Sequence, residues 1–177
     1  MRQRTILLVE DNSRDTRLIK RAFDKTAFLH DLRVVSDGDV ALSYLRASCV
    51  HAESSRTPRP DLILLDLNLP RMDGHEVIRQ CKQDDRLKQI PIVVLTTSGH
   101  GDDIRRAYAA GANAYLLKPV EFARFTEMIK QLSAFWLEVA ELPLATLGKI
   151  QQRDEKFHEQ GTVPDSPDIV NTYFVLM

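Results

Sequence analysis

The stretch Leu62-Ile63-Leu64-Leu65-Asp66-Leu67-Asn68-Leu69-Pro70-Arg71-Met72-Asp73-Gly74 decides how this chain folds. Four consecutive aliphatic residues run into an aspartate, and a Pro and a Gly follow before a helical pattern resumes. A continuous apolar run of this length reads as a strand buried on both faces, as in a parallel sheet. Open α/β sheets place their sites outside the carboxyl ends of the strands, which is where Asp66 falls. Taken alone, Asp66 equally fits the start of a turn, where aspartate is common. The rest of the chain separates the two readings.

Working outward, the same grammar recurs. Ile6-Leu7-Leu8-Val9 is a buried run ending in Glu10-Asp11, and Asn12 or Ser13 then offers a cap for a helix carrying Leu18, Ile19, Ala22 and Phe23. Leu32-Arg33-Val34-Val35 leads through Ser36-Asp37-Gly38 into a helix with Ala41, Leu42, Tyr44 and Leu45. Residues 48–60 read as a polar, Pro-containing loop. Beyond Gly74 a helix places Val77, Ile78 and Cys81 inward, and Ile92-Val93-Val94-Leu95 runs into Thr96-Thr97-Ser98-Gly99. A helix with Ile104, Ala107 and Tyr108 reaches Gly111, and Ala114-Tyr115-Leu116-Leu117 ends in Lys118-Pro119. A last helix begins near Val120 with Phe122, Phe125, Met128, Ile129 and Leu132. Strand and helix patterns alternate five times, which predicts a parallel α/β sheet with helices on both faces. Right-handed crossovers put every strand's carboxyl end on one edge. Glu10, Asp11, Asp66, Thr96, Thr97 and Lys118 therefore converge.

Composition narrows the classes. The 24 basic and 25 acidic residues give no bulk attraction to nucleic acid or to a membrane surface. Cys49 and Cys81 have neither metal-ligand spacing nor a disulfide framework, which fits reduced thiols in a cytoplasmic protein. No apolar stretch is long enough to span a bilayer, and the N-terminus does not read as a signal peptide. With 177 residues the chain suits one well-buried domain and an appendage.

The converging residues define a chemistry. Clustered carboxylates repel unless a hard cation neutralises them, and oxygen donors with open positions suit Mg²⁺. Lys118 adds an ammonium and Thr96 a hydroxyl. An aspartate so flanked can attack a phosphoryl group while the cations stabilise the transferring oxygens. No strand-end Ser, Cys or His stands beside a base, which argues against a hydrolytic triad. The turn after Val9 lacks a glycine fingerprint for nucleotide phosphates.

Val9-Glu10-Asp11-Asn12, Leu64 through Gly74, Leu95-Thr96-Thr97 and Leu117-Lys118-Pro119 together resemble the receiver domain of two-component response regulators, over about residues 4–135. The resemblance implies a flavodoxin-like, doubly wound five-stranded sheet in the order 2-1-3-4-5, followed by a C-terminal extension. It implies phosphorylation of Asp66 by a histidine kinase. Mg²⁺ would be held by Asp11, Asp66 and the backbone carbonyl of Asn68, with Glu10 acting mainly through water. Lys118 would contact the phosphoryl group, Thr96 and Tyr115 would form the switch pair, and the Lys118–Pro119 bond would be cis. Glu-Asp replaces the commoner Asp-Asp pair, and Val120 stands where an aromatic is common. An aspartyl phosphohydrolase is the alternative, but such enzymes generally carry a second acid two residues past the nucleophile, where this chain has Asn68.

The expected organisation is a receiver over residues 4–140 and an interaction or dimerisation arm over 141–177. Phe135-Trp136-Leu137-Glu138-Val139 continues the last helix toward a break at Pro143, and with the long loop before Asp66 it resembles regulators that pair with phytochrome histidine kinases. The residues beyond the receiver are too few for a DNA-binding output domain, so the output is a changed protein surface and not a catalysed reaction on a metabolite. Residues 144–160 read as a polar-faced helix. The apolar terminus, Asp168 through Met177, could fold back on its own domain, and the favoured reading is docking on a second subunit as a homodimer.

Overall fold

The structure is a computed structural model that describes residues 3–50 and 57–143; the helix expected over 144–160 and the apolar terminus lie outside them. The apolar runs are the strands β1 (Arg4–Val9), β2 (His30–Val35), β3 (Leu62–Leu65), β4 (Ile92–Thr96) and β5 (Ala114–Leu117). The periodic segments are α1 (Ser13–Phe23), α2 (Gly38–Val50), α3 (Gly74–Gln83), α4 (Gly101–Ala110) and α5 (Phe122–Ser133). All strand pairs are parallel and the sheet order is β2-β1-β3-β4-β5, as the flavodoxin-like reading expected.

Successive strand residues face opposite sides of the sheet, so the continuous apolar runs feed two cores at once. Ile6, Leu8, Leu62, Leu64, Val93 and Leu95 pack with Ile19 and Phe23 of α1 and Phe125 and Ile129 of α5. Leu7, Val9, Ile63, Leu65, Ile92 and Val94 pack with Leu42 and Leu45 of α2, Val77 and Ile78 of α3 and Ala107 of α4. The central strands β1, β3 and β4 are buried nearly throughout, while β2 and β5 at the edges are only half-buried. Ala107 is the sole fully buried residue of α4. That helix is correspondingly lightly tied to the core.

The end of the last helix differs from the expected plain continuation. The α-helix stops at Ser133, and Ala134–Val139 widens into a π-helical turn closed by the Ala140 N–H donating to the Phe135 carbonyl at 2.7 Å. In this wider turn Leu137 is buried and Trp136 packs against the α1–α5 core, while Phe135 and Val139 stay exposed. π-helical turns are rare and occur mostly as single turns within α-helices.

Two features hold the chain where it leaves β3. Gly74 opens α3 so close to the loop that an added Cβ would lie 2.7 Å from the Asp66 carbonyl oxygen and 2.7 Å from the Leu67 Cα. Only glycine fits against that backbone. Arg71, a non-glycine residue, has φ of 65°, a left-handed conformation that costs about 1–3 kcal/mol for such a residue. Its guanidinium pairs with the buried Asp37, whose other oxygen accepts the Val40 N–H at 2.9 Å and so caps α2. Arg71 thereby ties the loop after Asp66 to the start of α2.

Candidate functional site: a lysine among three carboxylates

Register brings the first two acids together. Val9 pairs with Leu65, so Glu10 and Asp66 leave neighbouring strands at the same level. The backbone holds them there: the Asp66 N–H donates to the Val9 carbonyl at 3.0 Å and the Glu10 N–H to the Val35 carbonyl at 2.9 Å. Lys118 enters from β5, where its N–H donates to the Thr96 carbonyl at 2.8 Å, and its long stem crosses the end of β4. The ammonium then donates to Glu10 Oε2 at 2.6 Å, Asp66 Oδ2 at 2.7 Å and Asp15 Oδ2 at 2.9 Å. An ammonium has three protons and no acceptor, so these three carboxylates saturate it.

The cluster is dry for so charged a group. The side chains of Glu10, Lys118 and Asp66 are 1 %, 6 % and 8 % exposed. Burial is the strongest influence on Glu10 and raises its pKa, with the Asp66 charge adding to the rise and the Lys118 bond opposing it. Burial works to lower the pKa of Lys118, but hydrogen bonds to Asp66, Glu10 and Asp15 outweigh it and hold the amine protonated above its ordinary range. Asp66 Oδ1 also accepts the Asn68 N–H at 3.2 Å, which curls the loop back over the carboxylate.

Oxygens of Glu10, Asp15 and Asp66 lie within 4.8 Å of one another, an all-oxygen set suited to a hard divalent cation. Asp11 is exposed at the end of β1 and does not belong to this set; Asp15, which the strand-end reasoning passed over, does. The missed signal is helical. Cβ atoms of an α-helix tilt toward its N-terminus, so an acid in the first turn after a strand end leans back over the sheet edge.

The hydroxyl side of the site is separate and uncharged at its centre. Thr96 is fully buried, and its Oγ1 accepts the Ser98 N–H at 3.3 Å. Half-buried Tyr115 donates its hydroxyl to the Ser98 carbonyl at 2.8 Å, so the two expected switch residues meet at one peptide segment. Ser98 in turn donates its hydroxyl to Asp103 Oδ2 at 2.5 Å, and His75 Nε2 lies 3.7 Å from Asp103 Oδ1. The Ser98 hydroxyl, together with His75, His100 and Arg106, lowers the Asp103 pKa against the effect of burial. Neither Asp103 nor His75 stood out in the sequence, since each lies on a helix in a register set by packing. Thr97 is exposed.

One expectation from the resemblance is corrected: the Lys118–Pro119 bond is trans, the form an X–Pro amide intrinsically favours. Beside Lys118 opens a cavity of about 290 Å³ whose walls include Arg14, Leu18, Pro119, Phe122 and Phe125. Among the described residues no helix is long and apolar enough to cross a membrane.

Comparison with known proteins agrees with this geometry. Residues 6–130 match the response regulator receiver domain family. The chain is 46 % identical over 132 residues to the probable methanogenesis regulatory protein FilR2 of Methanothrix harundinacea, covering 75 % of this chain and 83 % of that one. It is 42 % identical over 142 residues to the response regulator Rcp1 of Synechocystis, covering 80 % and 95 %, and a Mn²⁺-bound crystal structure of Rcp1 superposes with a TM-score of 0.71 at 41 % identity over 79 % and 99 %. The crystal structure of the phosphorylated cyanobacterial phytochrome response regulator RcpA superposes with a TM-score of 0.73 at 44 % identity over 80 % and 99 %. A buried aspartate at the end of the third strand, bound to a lysine from the fifth, is thus set in the fold and the sequence pattern of that family: this chain belongs to the response regulator receiver domains.

Proposed function

We propose that Asp66 accepts a phosphoryl group from a sensor histidine kinase of the phytochrome type and that the chain acts in the cytoplasm. The observation that carries this reading is the Asp66 carboxylate, nearly buried at the carboxyl end of β3 and bonded to Lys118 at 2.7 Å. Similarity to a phosphorylated phytochrome response regulator supports both the reaction and the class of donor. In the transfer, the phosphorus–nitrogen bond of the kinase phosphohistidine breaks as an Asp66 oxygen–phosphorus bond forms. The imidazole leaves with the electron pair of the broken bond and takes up a proton from water. Lys118 stays protonated and donates one ammonium hydrogen bond to the transferred group in place of the Asp66 oxygen.

Asp66, whose carboxylate belongs to the clustered oxygens, would hold Mg²⁺ with the Asn68 carbonyl and with Asp11, which would have to turn in from its exposed place at the end of β1, Glu10 acting through water; the ion when bound neutralises charge on the phosphoryl oxygens. The Mn²⁺ in the Rcp1 crystal structure supports a divalent ion at such a site. Thr96 and Tyr115 act as the switch: a hydroxyl that turns to the phosphoryl group leaves Ser98, and Tyr115 follows through the same peptide segment. Residues 4–140 form the receiver and 141–177 an arm that pairs two copies. Hydrolysis of the acyl phosphate by water returns the chain to its resting state.

Intact-mass spectrometry after incubation with acetyl phosphate and Mg²⁺ tests the reading. One added phosphoryl group is expected, absent from Asp66→Asn. A chain that gains no adduct and does not bind beryllofluoride, a phosphoryl mimic, overturns it.

A further inference from the structure

Among the described residues Lys118 is the one cation paired with the site's carboxylates, and its tip is held only by what it bonds to. A lysine stem has four rotatable carbons, so the position of the ammonium follows from its acceptors and not from its backbone. Two of those acceptors, Glu10 and Asp66, leave strands β1 and β3. The third, Asp15, comes from a different element, the first turn of α1. Its backbone is fixed there by the helix cap, because Asn12 Oδ1 accepts the N–H groups of Arg14 at 2.9 Å and Asp15 at 3.3 Å. Asp15 is also the outermost of the three, with its side chain 26 % exposed, and it forms part of the wall of the cavity beside Lys118.

An acid in a first helical turn has an ordinary role in complementing the helix dipole. That role asks nothing of the carboxylate's direction. Here Oδ2 sits 2.9 Å from an ammonium that is itself buried, and it takes the last of three protons.

We propose that Asp15 is a positioning residue for Lys118, anchoring the ammonium from the α1 side so that it faces the phosphoryl group on Asp66. The proposal rests on the reading of Asp66 as the phosphoryl acceptor. Once Asp66 is an acyl phosphate, the ammonium N–H that it accepted is donated as a hydrogen bond to a phosphoryl oxygen, while Glu10 and Asp15 keep the other two. Two tethers, one at the end of β1 and one in the first turn of α1, fix the tip. With Glu10 alone, the stem swings about one contact and the ammonium loses its direction.

The test uses the full chain with Asp15→Ala, which removes the acceptor, and Asp15→Asn, which keeps a neutral acceptor in place. Two readouts are taken. The first is the Lys118 ammonium resonance in a lysine side-chain ¹H–¹⁵N spectrum, identified by its loss in Lys118→Arg. The second is the rate of phosphorylation by acetyl phosphate at saturating Mg²⁺, followed by intact mass. Asp15→Ala is expected to lose the resonance to exchange with water and to slow phosphorylation roughly tenfold, the scale on which misplacing a reacting group acts. Asp15→Asn should keep the resonance and stay within about threefold of the parent rate, since a neutral acceptor makes a weaker but similarly placed bond. An alanine variant with an unchanged resonance and rate overturns the proposal. So does equal slowing of both variants with the resonance intact, which would mean that charge and not position matters. If the parent chain takes up no phosphoryl group while the resonance still depends on Asp15, the reading of Asp66 fails and the role in phosphotransfer fails with it, although the anchoring of Lys118 stands.

Discussion

Two hydrogen-bonded networks meet at the carboxyl edge of this sheet, and they are built on opposite principles. At the ends of β1, β3 and β5, a single ammonium is saturated by three carboxylates with little access to water. At the end of β4, Thr96, Ser98 and Tyr115 are joined through neutral hydroxyls and one peptide segment, with charge entering only at Asp103 and His75 on the outside. The first network holds three carboxylates on one ammonium, so loss of Lys118 leaves buried charge uncompensated, which costs several kcal/mol. The second can exchange one hydrogen bond for another at about 1 kcal/mol each. A site of fixed charges thus sits beside a segment whose contacts are cheap to rearrange, and α4, which carries that segment outward, buries only Ala107 completely. Rigidity and adaptability are divided between adjacent strand ends.

Lys118→Met would break the comparison most severely. Among the described residues it removes the one cation paired with Glu10, Asp15 and Asp66. In metal-free buffer at pH 7 a loss of about 3 kcal/mol is expected from urea unfolding. Added Mg²⁺ should recover more stability in this variant than in the parent chain, because the uncompensated carboxylates gain a counter-ion. Equal stabilisation of the two by Mg²⁺ would count against the ionic account of the cluster.

A milder effect is expected on the neutral side. Tyr115→Phe removes the bond to the Ser98 carbonyl and keeps the ring against the core shared by α3 and α4. Unfolding should show a loss of about 1 kcal/mol, with little change in divalent-ion affinity. A drop in ion affinity as large as that from a carboxylate substitution would merge the two networks into one.

The smallest change is expected for Ser98→Ala, and it depends on pH. The Ser98 hydroxyl is the leading cause of the lowered Asp103 pKa. A carboxyl whose folded pKa is depressed adds stability above its unfolded value, near 3.9, and that stability fades as pH falls through the folded value. The variant should therefore be less stable than the parent at pH 6, and the gap should begin to shrink near pH 4 and close once pH falls below the parent's depressed folded value, where Asp103 is protonated in both. NMR titration of the Asp103 carboxyl should show its midpoint moving up toward the ordinary range. An unmoved midpoint would assign the shift to His75, His100 and Arg106.

Much of the fold was legible because both-face burial leaves a direct mark. Runs such as Leu62–Leu65 and Ile92–Leu95 have no polar alternation, and only a covered parallel sheet absorbs them. Right-handed crossovers then placed Glu10, Asp66, Thr96 and Lys118 on one edge without coordinates. What stayed hidden depends on side-chain direction and on packing in three dimensions. Asp15 gave no strand-end signal, yet the tilt of its helix turns it onto Lys118. His75 approaches Asp103, the partner of Ser98, only because α3 and α4 are packed side by side on one face of the sheet. The π-helical turn at Ala134–Val139 leaves no periodic trace in six residues.

Residue pattern alone established a covered parallel sheet and the convergence of an aspartate and a lysine at one edge, because hydrophobic burial and crossover handedness act on pattern, while the strand order was implied by the resemblance to receiver domains. Only the tertiary structure decided how the Lys118 protons are shared, which acid completes the set, and that Thr96 and Tyr115 meet at Ser98. Those outcomes turn on distances of 2.6–3.3 Å between residues remote in sequence. Hydrogen bonding at that range depends on atomic position, which residue order does not encode.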